Sequence, residues 1–150
     1  MITYRLASEE YALDISGEGA AMYGGRWNPI GLRALYSAQH ISLAILEILA
    51  RTLKGIHPPD YYLVILEVPE GNVVRVESSS LNSNWKSNTE YSQWIGEEFL
   101  KENETLALQV PSAIVEREYN FVINPFHKNF SKIRIIDHEP LMLDKRLMQA

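Results

Sequence analysis

A few side chains in this sequence have the chemistry and the setting to act on a phosphorylated substrate. Arg26 follows two glycines in Gly24-Gly25-Arg26-Trp27-Asn28-Pro29. The glycines free the backbone and the proline closes the turn. A guanidinium placed there can approach a phosphate or pyrophosphate and hold it through forked, charge-assisted hydrogen bonds. The alternative is an arginine ion-paired on a surface turn. Glu47 lies within Ile41-Ser42-Leu43-Ala44-Ile45-Leu46-Glu47-Ile48-Leu49, a segment apolar on almost every side. A carboxylate in that setting is costly unless something needs it. It either faces a cleft or pairs with Arg51 at i+4, a contact worth roughly 0.2–0.5 kcal/mol.

Tyr36, in Leu35-Tyr36-Ser37, can stack on an aromatic ligand ring or simply complete a core. Ser112 follows a rigid proline in Val110-Pro111-Ser112-Ala113, so its hydroxyl can be aimed from a strand end. No Gly-x-Ser-x-Gly elbow surrounds it, and a turn residue is the plain alternative. Asn124-Pro125-Phe126-His127 reads as a turn carrying a surface histidine. The four histidines show no metal-ligand spacing, so no metal is predicted. Gly17-Glu18-Gly19 opens like a dinucleotide fingerprint, but Met22 stands where the third glycine belongs.

The elements that must position these groups follow from pattern. Ile2 to Leu6 predicts a strand, and Ser8 a cap for a short helix over Glu9 to Leu13. The glycines from Gly17 to Gly25 predict a mobile or tightly turned loop. Arg33 to Tyr36 predicts a strand, with Ser37 capping a helix that runs to about Leu53. Gly55 would end that helix, with Pro58-Pro59 beyond. Tyr61 to Val68 has the continuous apolar run of a central strand covered on both faces.

Asn72 to Val76 alternates like a strand with one wet face, and Ser78 to Asn88 reads as a surface loop. Thr89 to Asn103 has helical spacing through Tyr91, Trp94, Ile95, Phe99 and Leu100. Leu106 to Val110, Asn120 to Ile123 and Lys132 to Asp137 predict three more strands. Strands and helices mix without regular alternation, which predicts an α+β domain with a mixed sheet core and flanking helices.

Size and composition set the outer limits. At 150 residues, 46% hydrophobic and 22% charged, the chain is expected to form a single domain over 1–150 with a buried core. A net charge of −5 argues against the phosphate backbone of a nucleic acid as partner. With no cysteine, disulfides, thiolate metal sites and cysteine nucleophiles are excluded. Neither a signal layout nor a run of membrane-spanning length is evident, so a soluble cytoplasmic protein is expected.

Taken in order, Arg26 in Gly-Gly-Arg-Trp-Asn, Tyr36 in Leu-Tyr-Ser-Ala, Glu47 in Leu-Ala-Ile-Leu-Glu, Ser112 in Val-Pro-Ser-Ala and Asn124-Pro125-x-His127 resemble the RES domain. The likeness runs from Tyr4-Arg5 through the Asn-Pro-x-His segment. It implies a fold similar to that of the ADP-ribosyltransferase (diphtheria-toxin-like) proteins. It also implies a toxin of a bacterial toxin–antitoxin pair, neutralised by an Xre-like antitoxin in an assembly that admits homo-oligomers. Members of the family act on NAD, which is then a substrate and not a bound cofactor. Some hydrolyse or phosphorolyse it, and others transfer ADP-ribose to a protein; a non-catalytic partner-binding module is the remaining alternative.

By the same resemblance Glu47, Arg26 and Ser112 would be catalytic. Glu47 would stabilise charge developing on the ribose, and Arg26 would hold the pyrophosphate with Arg5 as helper. Tyr36 would stack against nicotinamide or ribose, Ser112 would orient the substrate, and Asn124 would support the NAD site.

Overall fold

The computed structural model describes residues 1–51 and 60–148. Among them, seven strands form one sheet in the order β4-β5-β6-β2-β1-β3-β7. In chain order these are β1 (Ile2–Ser8), β2 (Leu35–Ala38), β3 (Tyr61–Glu67), β4 (Val73–Arg75), β5 (Ala107–Pro111), β6 (Tyr119–Ile123) and β7 (Arg134–Leu141). The helices are α1 (Glu18–Tyr23), α2 (Ile41–Arg51) and α3 (Thr89–Glu102). Only β4 and β5 pair in parallel; the other neighbours are antiparallel. The α+β expectation holds.

Strand register sorts the side chains into two faces, because successive residues of a strand point to opposite sides. Tyr4 pairs with Ala38, Ala38 with Asn120 and Asn120 with Val110. One face therefore carries Tyr4, Leu6, Tyr36, Ala38, Val110, Asn120 and Val122. Leu43 and Ala44 of α2 pack there on Leu6, Ala38 and Leu63. Trp27, Trp85 and Leu100 pack further along on Leu108, Val110 and Val122. The other face carries Leu35, Val64, Leu66, Phe121 and Ile123, covered by Ala12 and Ile133 from the two ends of the chain.

Several sequence expectations shift. Ser37 is inside β2 and not a helix cap; its buried hydroxyl has no hydrogen-bond partner among the described residues. The strand extends to Ala38 because Asn120 pairs with it, and His40 supplies the carbonyl that receives the Ala44 N–H. Ser8 makes no side-chain cap, and only a 3-10 turn over Glu9–Tyr11 follows. The glycine-rich stretch contains α1 between its glycines. The strand expected at the sheet centre, β3, lies one place in from the edge. Ser78 to Asn88 carries two 3-10 turns, the second (Trp85–Ser87) burying Trp85. The expected helix end near Leu53, Gly55 and Pro58-Pro59 lie outside the described residues.

The last strand, β7, is an edge strand; Arg134, Asp137, His138, Glu139 and Pro140 are all exposed along it.

Candidate active site

Glu47 follows Leu43 by one helical turn, so it shares the inward stripe of α2 and points at the sheet. Its carboxylate does not pair with Arg51. Oε1 instead accepts the Ser112 hydroxyl at 2.8 Å and the Asn120 carboxamide Nδ2 at 2.7 Å. Among the described residues Oε2 receives no hydrogen bond. Ser112 directly follows β5 and Asn120 is the second residue of β6, so two adjacent strands deliver both donors to a single oxygen.

The Ser112 hydroxyl is saturated. It gives its proton to Glu47 and takes the backbone N–H groups of Ile114 and Val115, each at 3.0 Å. It therefore holds the carboxylate and has nothing left for a ligand. Ser112→Ala should remove the acceptor for two amides and cost about 1–2 kcal/mol of stability. An unfolding midpoint in urea equal to that of the unchanged chain would show that the turn does without the hydroxyl.

The arginine loop is built around Asn28, which is fully buried. Its amide donates to the carbonyls of Ala20, Pro29 and Leu32, while Oδ1 accepts the Tyr36 hydroxyl at 2.6 Å. Tyr36 in turn accepts the Trp27 N–H at 3.1 Å. Gly25 runs so close beneath this pair that a Cβ would lie 2.7 Å from Asn28 Oδ1 and 2.8 Å from the Tyr36 hydroxyl. Burial pushes that hydroxyl well above the ordinary tyrosine range, against the Trp27 N–H and the charges of Arg51 and Arg26. The Tyr36 hydroxyl thus stays protonated and ties down the loop.

Helix α3 secures the loop from outside. Ser92 donates to the Arg26 carbonyl at 2.7 Å and Gln93 to the Gly25 carbonyl at 2.9 Å. Gly96 lets the helix backbone touch the Trp27 carbonyl, where a Cβ would lie only 1.6 Å from the oxygen. Three consecutive carbonyls are thereby fixed by one side of α3. The Arg26 guanidinium lies 5.9 Å over the Trp85 ring and gives one N–H to the Lys86 carbonyl at 3.0 Å. Lys86 pairs with Glu116 at 3.0 Å, in the turn that follows Ser112. The 3-10 turn at Trp85–Ser87 so bridges the arginine loop and the serine turn. The remaining Arg26 donors make no hydrogen bond among the described residues, and the side chain is half-buried.

Two predicted site residues are elsewhere. Arg5 neighbours Tyr4 on β1 and therefore points to the opposite face of the sheet. Its guanidinium reaches the carbonyls of Tyr11 and Ala12 at 3.4 and 3.3 Å. Burial lowers its pKa, with the Asp14 charge opposing. Asn124 is buried at the far end of β6, where it donates to Leu100 O and Asn103 Oδ1 and caps Phe126 N. It joins the end of α3 to the sheet and does not reach Glu47. His127, expected at the surface, is buried and accepts the Asn129 N–H at Nδ1. Asn120 was legible only as a strand residue; its one signal is an amide among apolar neighbours in Tyr119-Asn120-Phe121-Val122-Ile123.

A separate hollow of about 260 Å³ lies between α3 and β4–β5, lined by Val74, Ile95, Phe99 and Leu108 and by the exposed Glu98 and Glu102. It includes none of the groups around Glu47. Among the described residues, no helix is long and apolar enough to cross a membrane.

Fold and site together define an α+β protein whose mixed sheet supports a helix-borne carboxylate, held by Ser112 and Asn120, and an arginine loop clamped by α3. The chain belongs to the RES domain family, whose model matches residues 2–144. It is similar to a Photorhabdus laumondii protein called Toxin Res, with 36% identity over 154 residues covering 100% of this chain and 99% of the relative. It is also similar to the Prs ADP-ribosylating toxin of Sphingobium sp. (strain YBL2), with 33% identity over 141 residues and coverage of 91% and 88%. Among solved structures, the M. tuberculosis MbcT–MbcA toxin–antitoxin complex contains a chain matched with a TM-score of 0.78 at 20% identity. That match covers 94% of this chain and 84% of the other, a likeness of fold.

Proposed function

We propose that this chain is the toxin of a toxin–antitoxin pair and acts by breaking the nicotinamide–ribose bond of NAD. The observation that carries this is the Glu47 carboxylate, with Oε1 held by two donors and Oε2 receiving no hydrogen bond among the described residues. When the C1′–N bond breaks, nicotinamide leaves with the electron pair and positive charge grows on the ribose, as in glycoside cleavage. A fixed anion beside that ring stabilises the transition state more than the ground state. Oε2 accepts a ribose hydroxyl and faces the developing charge. A water or phosphate oxygen then bonds to C1′, and the water gives up its proton.

Arg26 holds the pyrophosphate with the N–H groups that Lys86 does not use. Tyr36, its hydroxyl committed to the loop, offers only its ring to the substrate. Ser112 acts on Glu47 and not on NAD. Incubation of the purified chain with NAD should release nicotinamide, measurable by chromatography; intact NAD after prolonged incubation would overturn the proposal. Arg26→Ala should raise the Kd for NAD about tenfold or more, the loss of one charge-assisted contact of roughly 1.5–3 kcal/mol. A calorimetric Kd equal to that of the unchanged chain would remove Arg26 from the site.

A second reading, ADP-ribosyl transfer to a protein, is favoured by the name of the Sphingobium relative. The same bond breaks, and a protein side chain replaces water. Labelled NAD added to lysate separates the two: a discrete labelled band marks transfer, and free ADP-ribose marks hydrolysis. The partner implied is an Xre-like antitoxin, expected to restore growth when co-expressed.

A further inference from the structure

We infer that Asn120 is the positioning residue that decides which oxygen of Glu47 meets the substrate. The inference rests on the reading of Glu47 as the anion beside the ribose, and it concerns a side chain that no motif singled out. Asn120 is locked on both sides, since its backbone pairs with Ala38 of β2 and Val110 of β5. The small Ala38 beside it leaves room for the carboxamide to lean toward α2. At 2.7 Å from an ionised oxygen, the amide must present its N–H₂, because its own carbonyl there would set acceptor against acceptor.

Asn120 and Ser112 reach the same atom, Oε1, from neighbouring strands. Ser112 alone could leave the carboxylate free to rotate about its last bond and exchange its two oxygens. A second donor from a different direction removes that freedom. Among the described residues Oε2 then receives no hydrogen bond, and its orientation is set by the two bonds to Oε1. Asn120 thus acts through Glu47 and touches no substrate.

Other charged groups surround this end of the sheet. Arg51 lies one turn along α2 and Arg26 on its loop. Lys86 is paired with Glu116, and His40 lies 3.9 Å from Glu118. None forms an ion pair with Glu47 among the described residues. All of them remain unchanged in the variant that follows, so the comparison isolates position 120.

Asn120→Asp keeps the shape and replaces the donor with a second carboxylate beside Oε1. Two carboxylates at that distance share a proton, so the pair holds it to higher pH. Glu47 is useful only when ionised, so activity is present above the raised pKa and lost as pH falls through it. The acid limb of the NAD-cleavage profile should move up by about one pH unit or more, with kcat near neutrality down about tenfold and KM changed less. Carbon-13 titration of the Glu47 carboxyl in the purified variant should show the same upward shift without any substrate. A Glu47 titration unchanged from wild type would overturn the inference, even if the variant melts at a lower temperature, because a purely structural asparagine would do only that. A wild-type chain that leaves NAD intact would instead overturn the proposed function, while the titration still decides the role of Asn120.

Discussion

Glu47→Gln should lower the rate of nicotinamide release by a factor of about 100 to 1,000. That corresponds to the roughly 2.7–4 kcal/mol lost when a preorganised electrostatic group is removed from a transition state. Glutamine retains the length and shape of the side chain, and its carbonyl oxygen can still accept from Ser112 and Asn120. Folding stability should therefore change little. NAD binding should persist, because Arg26 and its loop are untouched. The loss should fall on kcat, where the missing negative charge is felt only as the ribose becomes cationic. Single-turnover kinetics with saturating NAD measures it directly. A variant that turns over at the wild-type rate would falsify the assignment of Glu47 and with it the mechanism.

The largest effect on folding is expected at Gly96. An alanine Cβ would stand 1.6 Å from the Trp27 carbonyl oxygen, 2.6 Å from its carbon and 3.1 Å from its Cα. All three are backbone atoms and cannot rotate aside. Helix α3 and the arginine loop must separate, and the bonds from Ser92 and Gln93 to that loop go with the contact. Gly96→Ala should cost more than about 3 kcal/mol, beyond the usual range for inserting one methyl into a packed site. Gly19→Ala is the matched control, since a Cβ there meets nothing within 4 Å. Denaturant unfolding of the two proteins should separate them clearly. Equal midpoints would mean that α3 does not bear on the loop as described.

The contact at Gly96 also shows where sequence pattern stops being informative. The periodicity of Tyr91, Trp94, Ile95, Phe99 and Leu100 gives α3 correctly, yet Trp94 is 58% exposed. The buried line of the helix is Ser92, Gly96 and Leu100, spaced by four. Two of those three are small, and their role is to bring backbone close to backbone. A hydrophobic pattern assigns such residues no weight, and the loop they meet lies 66 residues away in the chain.

Glu47 was legible for the opposite reason. One carboxylate in an apolar helix stands out, and Ser112 stood out by its proline; the fold places them 2.8 Å apart. Arg5 and Asn124 carry equally suggestive side chains but satisfy main-chain carbonyls, a need that residue type cannot separate from ligand binding. Ser37 fails as a cap because pairing with β6 extends β2 past it, and such long-range pairing overrides a local preference.

The two open borders of the sheet differ in kind but share a consequence. On one side β4 is only three residues long. On the other, β7 exposes the polar Arg134, Asp137, His138 and Glu139 alongside Ile136, and its Pro140 has no amide hydrogen to offer. Both features discourage a strand of a neighbouring molecule from adding to the sheet. Accumulated free of any partner, the chain is thereby protected against the polymerisation that unguarded sheets invite.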